Sequence, residues 1–196
     1  YQSLNLTPEL SAIAKNGLYF PAALPATSST FNSLSSILSG VPYSGINVGR
    51  KQYTARLDHL NLIKQMEKLG YSSQFYYGGL LSWQNIGNYM SSIGTDGLVS
   101  AINASGKGSA GVWGIDDEQL FDLVDSKLEN NSFNIILSTS YHGPFNLDLT
   151  EMGYHFQSKA DYPHGILNLS DNLLDTHVLG HLWYSDKALG KFVRRM

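Results

Sequence analysis

The chain has 196 residues, enough for one sizeable core, and its 42% hydrophobic and 15% charged residues describe a globular protein rather than a disordered one. Thirteen basic and sixteen acidic residues leave a net charge of -3 with no basic run, so nothing points to nucleic acid or an anionic membrane surface as partner. The absence of cysteine excludes disulfides, thiolate metal sites and cysteine nucleophiles, and no apolar run approaches the roughly 20 residues that span a bilayer.

Taken in order, Thr7 can cap a helix that starts at Pro8, with Ile13 inward and Gly17 beyond its end. A strand is expected over 18–20. The next helix is expected over 30–39, with Leu34, Ile37 and Leu38 on one face and Gly40 as its stop. Asp58 is expected to cap a helix over 59–69, carrying a stripe of Leu62, Met66 and Leu69 and ending at Gly70. A strand follows over 72–77. Segments 41–57 and 95–115 read as Gly- and Ser-rich loops, and 143–170 as a long irregular stretch.

Asp116 with Gln119 three residues later is a capping-box pattern for a helix over 117–129, with Leu120, Val124 and Leu128 inward. The apolar run 133–139 predicts a strand covered on both faces. A final helix is predicted over 171–195, with Leu174, Val178, Leu182, Leu189 and Val193 facing in. Helices alternating with short apolar strands predict an α/β fold with a mostly parallel sheet, in which ligands bind beyond the carboxyl ends of the strands. Tyr1 at one end and Arg194 to Met196 at the other are expected to be cut ends.

Three segments could carry chemistry. In PATSSTFNSLSSILSG, residues 25–40, a hydroxyl cluster precedes an amphipathic helix, where free N–H groups and the helix dipole favour an anion. A threonine there could attack phosphorus if a metal or base activated it, and ordinary helix capping explains the same cluster. In STSYHGPF, residues 138–145, His142 follows a strand and could donate to a phosphate oxygen or protonate a leaving group, or simply sit in a loop. In FYYGGLLSWQN, residues 75–85, Gly78 and Gly79 permit a tight turn, so that Tyr77, Trp83 and Asn85 could contact a polar head group or could pack a strand-to-helix turn.

Other patterns lead nowhere. SGKGSAG, residues 105–111, lacks the GK[ST] close of a phosphate loop. His177 and His181 have zinc-compatible spacing but no third ligand in view. No G-x-S-x-G elbow is present, which argues against an α/β-hydrolase.

These segments, in this order, resemble the sulfatase-like branch of the alkaline phosphatase superfamily, closest to lipoteichoic acid synthases and related phosphoglycerol transferases. LTPELSAIAKNGLYF resembles the family's passage of proline, helix, glycine and aromatic strand, and the gap from Thr30 to Gly40 is similar to that between nucleophile and glycine. LIKQMEKLGYSSQFYYGG, WGIDDEQLFD (113–122), SYHGPF and WYSDKALGKF (183–192) resemble its helix with Gly-Tyr and Tyr-Gly-Gly, its Trp-Gly…Asp-Glu helix start, its histidine loop and its late helix with a buried aspartate.

The resemblance implies a three-layer α/β/α sandwich, of which residues 1–196 would be the central part, incomplete at both ends. It implies Thr30 as catalytic nucleophile and metal ligand, His142 as a contact to the substrate phosphate, and Tyr77, Trp83 and Asn85 around the head group. It further implies a divalent metal ion (Mn, Mg or Zn) whose remaining ligands would lie outside this sequence. The activity would be transfer of phosphoglycerol or phosphoethanolamine from a phospholipid donor to a glycan or lipid acceptor. The expected place is the outer face of the bacterial cytoplasmic membrane or the periplasm, with a membrane anchor absent from this chain. The alternatives are a sulfatase or phosphodiesterase type of hydrolase and a non-catalytic binding module. Two departures bear on these. Leu80 stands where many relatives carry an acid, and Phe31 and Asn32 follow Thr30 where a sulfatase has proline and arginine, which makes sulfate ester hydrolysis the weaker chemistry.

Overall fold

The computed structural model of the chain describes residues 4–43, 45, 60–104, 112–155 and 175–196. They form two compact units. A sheet unit comprises Phe20–Ala104 and Val124–Leu137; a helical unit comprises Tyr1–Tyr19, Ser105–Leu123 and Ser138–Met196.

In the sheet unit, three parallel strands β1 (Ser72–Tyr77), β2 (Gly97–Ser100) and β3 (Ser132–Leu137) run in the order β2-β1-β3. The α/β class expected from the sequence is the class observed. Register aligns Tyr77 with Ser100 on one side and Leu137 on the other, so all three strands end at one level. Central β1 is the best covered. β3 is half-buried at every residue, as suits its place at the margin of this three-stranded sheet, and it ends at Leu137 rather than at residue 139. Helices α2 (Thr30–Ser39), α3 (Leu62–Lys68) and α4 (Ile86–Ser92) share one core with the sheet. Phe31, Leu38, Ile63, Phe75, Tyr77, Ile86, Tyr89 and Met90 are all buried there.

Several expectations are corrected. Segment 18–20 is not a strand: Leu18, Tyr19 and Phe20 are exposed, with no ladder partner among the described residues. Asp58 lies outside the described residues, and α3 is capped instead by Asn61, whose side chain accepts from the Ile63 and Lys64 N–H groups. Its buried residue is Ile63, while Leu69 lies past the helix end and exposed. On α2 the inward face includes Phe31 and Leu38, and Ile37 is exposed. Segment 95–115 is not all loop, since it contains β2. Gly40 does stop α2, in the left-handed conformation at φ 68.

The helical unit holds α1 (Pro8–Lys15), most of α5 (Asp117–Asp125) and α6 (Thr176–Val193). The expected stops at 129 and 195 thus move inward, and residues 171–174 lie outside the described set. Half of the capping box at Asp116 is present, the Gln119 N–H donating to Asp116 Oδ1 at 2.9 Å. The buried face of α6 includes Leu179, Tyr184, Ala188 and Phe192, whereas Val193 is exposed. The stripe is therefore rotated by about one residue from the predicted one.

Helix α1 buries no residue, and Ile13 is exposed rather than inward. Nor does Thr7 cap it with its side chain. Buried Asp186 on α6 does so instead, accepting the N–H groups of Glu9 and Leu10 at 2.9 Å each. A carboxylate facing two free amides at a helix N-terminus is the charge arrangement the helix dipole favours. Gly190 allows the close approach, because a side chain there would run into Glu9. Among the described residues, no helix is long and apolar enough to cross a membrane.

Candidate active site

In the sheet unit, Thr30 is the first residue of α2, preceded by Ser29 as N-cap in extended conformation. Ser29 makes no capping bond through its side chain. Thr27 and Ser33 instead tie the entry loop to itself, Ser33 Oγ donating to the Thr27 carbonyl at 2.9 Å and accepting the Thr27 N–H at 3.2 Å. The Ser29 N–H donates to Thr27 Oγ1 at 2.8 Å. Capping therefore does not explain Thr30. Its side chain is exposed at the positive end of a ten-residue helix, with no hydrogen bond among the described residues.

The next residue, Phe31, anchors this turn in the core. Its ring meets Tyr89 edge-on at 5.2 Å and Trp83 at 6.4 Å, and Trp83 packs on Tyr77 at 5.8 Å. The turn that carries Thr30, Tyr77 and Trp83 are thus brought into one neighbourhood, at the carboxyl end of β1. Their surfaces differ. Tyr77 is only 4% exposed and stacks on Phe75, a core position in which burial pushes its phenol up to about 12. Trp83 is half-buried and Asn85 exposed.

The loop after β1 is bound to the end of β3 and to the turn that follows β2, the Gly78 N–H donating to the Leu137 carbonyl and the Ala101 N–H to the Gly79 carbonyl. It then carries two consecutive left-handed residues, Gln84 at φ 50 and Asn85 at φ 61, with Asn85 Oδ1 accepting from Asn88 at 2.6 Å. Such backbone in residues other than glycine costs on the order of 1–3 kcal/mol and concentrates at functional loops.

In the helical unit, His142 is exposed and lines a concave site with Trp113, Asp116, Ser140, Asn146 and His181. Its ring lies against Trp113 at 4.7 Å, and the Trp113 indole N–H donates to the Gly143 carbonyl. Thr30 falls in the sheet unit and His142 in the helical one. Of the residues that shape this site, Asp117 entered the sequence reading only within the Trp-Gly…Asp-Glu helix start, with no role assigned, and His181 only through its zinc-compatible spacing. Asp117, 1% exposed, accepts the Ser140 N–H at 3.0 Å and the Thr139 N–H at 3.3 Å, while its own N–H donates to Ser140 Oγ. The Asp-Asp pair that opens α5 was the available signal, since one aspartate suffices for a cap.

His181 is not half of a zinc pair. Its Nε2 accepts the Leu147 N–H at 3.1 Å, which leaves Nδ1 to donate to the His177 carbonyl at 2.6 Å, so the ring is neutral and fully used. Burial holds its pKa below the usual histidine range, and the neighbouring His177 adds to that; the bond to the His177 carbonyl and the charge of Asp117 oppose it. Above about pH 6.5 His181 is neutral in folded and unfolded chain alike, whereas below it the unfolded chain takes up the proton first. Stability should therefore fall as pH drops from about 6.5 toward the depressed folded value. Melting curves between about pH 5 and 7.5 should show a smaller loss in His181→Gln than in wild type. Beside it, the phenol of Tyr184 donates to Asp116 Oδ1 at 3.0 Å, and burial followed by the Asp116 charge pushes its pKa up.

Among the described residues, no group of three or more His, Asp or Glu side chains could hold a metal ion. These residues do not complete a metal centre, and Thr30 would be a single oxygen donor to one.

The sequence matches the Sulfatase family over residues 1–196. Solved structures share the fold. A protein in the alkaline phosphatase superfamily from Vibrio parahaemolyticus superposes with TM-score 0.70 at 24% identity, over 99% of this chain and 46% of that one. The lipoteichoic acid synthase LtaP from Listeria monocytogenes gives 0.69 at 16%, over 97% and 46%. The C-terminal periplasmic domain of EcEptC from Escherichia coli, in complex with Zn, gives 0.63 at 15%, over 96% and 52%. The chain thus spans about half the length of each of these structures.

Proposed function

The chain belongs to the sulfatase family, and we propose that it is part of a metal-dependent phosphotransferase with Thr30 as nucleophile. The observation that carries this reading is the Thr30 hydroxyl itself: exposed, free of capping bonds, and set at a helix N-terminus where developing negative charge is favoured. Its oxygen would attack the phosphorus of a phospholipid diester, forming the Thr30–phosphoryl bond as the bond to the lipid alcohol breaks. That alcohol leaves with a proton. A hydroxyl of a glycan or lipid acceptor would then attack the same phosphorus and return Thr30 to its free form.

The transferred group would be phosphoglycerol or phosphoethanolamine. His142 would donate to a phosphoryl oxygen, with Trp83 and Asn85 bordering the head group and Tyr77 supporting Trp83 from the core. A bound divalent cation (Mn, Mg or Zn) would supply a lowered hydroxyl pKa and charge neutralisation, held by Thr30 with ligands from outside the described residues. The reading places the protein on the outer face of the cytoplasmic membrane or in the periplasm, attached through an anchor outside these residues. The fold shared with a lipoteichoic acid synthase and with a periplasmic domain supports it.

The test is the longer protein presented with a fluorescent phospholipid and candidate acceptors. Labelled head group should appear on an acceptor; its release only to water would make the protein a hydrolase instead. His142→Ala should lower kcat/KM by about 10²- to 10⁴-fold. The melting temperature should stay within about 2 °C, because the side chain is exposed. A large drop in melting temperature would mark His142 as a packing residue.

A further inference from the structure

We propose that Asp117 and His181 are positioning residues that pin the two ends of the 138–147 segment and thereby fix His142 toward its ligand. The inference rests on the reading of His142 as a ligand contact. Both residues are 1% exposed, and neither is used in the chemistry above. A buried carboxylate and a buried imidazole are costly unless their polar atoms are engaged, and here both bond to backbone.

At the near end, Asp117 receives the Thr139 and Ser140 N–H groups and returns a bond from its own N–H to Ser140 Oγ. Thr139 adds a bond from Oγ1 to the Ile115 carbonyl at 2.8 Å. At the far end, His181 receives the Leu147 N–H, and its ring meets Phe145 edge-on at 5.3 Å.

Between the pins, the backbone is one that needs holding. Phe145 sits at φ 54, a left-handed conformation that an aromatic residue adopts only when its surroundings impose it. Its N–H closes a turn onto the His142 carbonyl at 3.3 Å, so a shift at Phe145 is passed directly to His142. The Trp113 indole holds the middle of the segment at Gly143. Releasing either end would leave His142 on a segment held only by the opposite end and by the Trp113 bond at Gly143.

The experiment is hydrogen exchange by mass spectrometry on the full-length protein, read beside turnover of a simple aryl phosphodiester. His181→Phe keeps an aromatic ring against Phe145 but removes the acceptor for the Leu147 N–H. It should raise exchange across 141–147 by roughly tenfold or more, the scale of a lost local contact. It should also lower kcat roughly 10- to 100-fold, the loss that misplacement of a catalytic contact brings. His181→Gln, whose amide oxygen can accept the same N–H, should restore most of both. Asp117→Ala should loosen 139–140, and Asp117→Asn should not.

Unchanged exchange in His181→Phe overturns the inference whatever the chemistry of the protein. So does exchange raised uniformly through α5 and α6, which would make the pair determinants of the fold rather than of the segment. If the segment loosens as expected while His142→Ala turns over like wild type, the role of His142 falls, and with it the positioning role.

Discussion

Thr30→Ala should abolish head-group transfer in the full-length protein, to the limit of detection. Three neighbouring hydroxyl residues are placed for other contacts: Ser29 occupies the N-cap in extended backbone, and Thr27 and Ser33 are bonded to each other. Folding should be untouched, since an exposed threonine at the first position of a helix contributes little beyond propensity. Thr30→Ser should retain part of the activity, because the hydroxyl remains while the methyl that restricts its rotamer is gone. Incubation with a lipid-like donor, a quench and peptide mapping would locate the phosphoryl group. An adduct on Ser28 or Ser29, or turnover surviving in Thr30→Ala, would reject the assignment.

The largest expected effect on stability lies one residue further on. Phe31 is 1% exposed and holds the start of α2 by edge contacts to Tyr89 and Trp83. Phe31→Ala should cost about 3–5 kcal/mol, from lost transfer energy and the cavity left among Tyr89, Trp83 and Leu38. Chemical denaturation of the full-length protein would measure it. Phe31→Leu, which fills more of the space, should cost clearly less. The pair of neighbours thus divides the work, one side chain presented to solvent and the next locked in the core. A stability loss at Thr30 equal to that at Phe31 would contradict this division.

How much was legible beforehand follows from the range of the interactions involved. β1 and the bounds of α2 were readable because their signals are local: three successive aromatic residues after a Gly-Tyr turn for one, a hydroxyl start and a glycine stop for the other. The same local rule failed at Leu18 to Phe20, since an apolar aromatic run marks a strand only where a partner covers it, and these side chains are exposed. It failed again at β2, four residues long and embedded among Gly and Ser, whose strand character comes from pairing with β1.

The candidate site divides in the same way. Thr30 and His142 stood out as candidates by residue type and position, and the family resemblance is what implied their roles. The pinning roles of Asp117 and His181 could not, because their partners lie 22 to 34 residues away and nothing in the intervening sequence announces them. Tyr77 illustrates a third case. A tyrosine at a strand's carboxyl end reads equally well as ligand contact or as core, and burial places its ring in the core.

The tie between Asp186 and the amides of Glu9 and Leu10 has a consequence for the order of events during synthesis. Those partners are separated by 177 and 176 residues. Eight residues of helix with no buried side chain and no cap of its own cannot persist in isolation, where even Ala-rich segments shorter than about 12–15 residues are marginal. Ribosomes add roughly 5–20 residues per second, so α1 would wait on the order of ten seconds or more for its cap to emerge. Of the helices α1 to α6, the first to leave the ribosome is thus among the last to become permanent. Until α6 arrives, the α1 segment is unstructured chain, open to proteases and chaperones, and its ordering reports that the polypeptide has been made at least as far as Asp186.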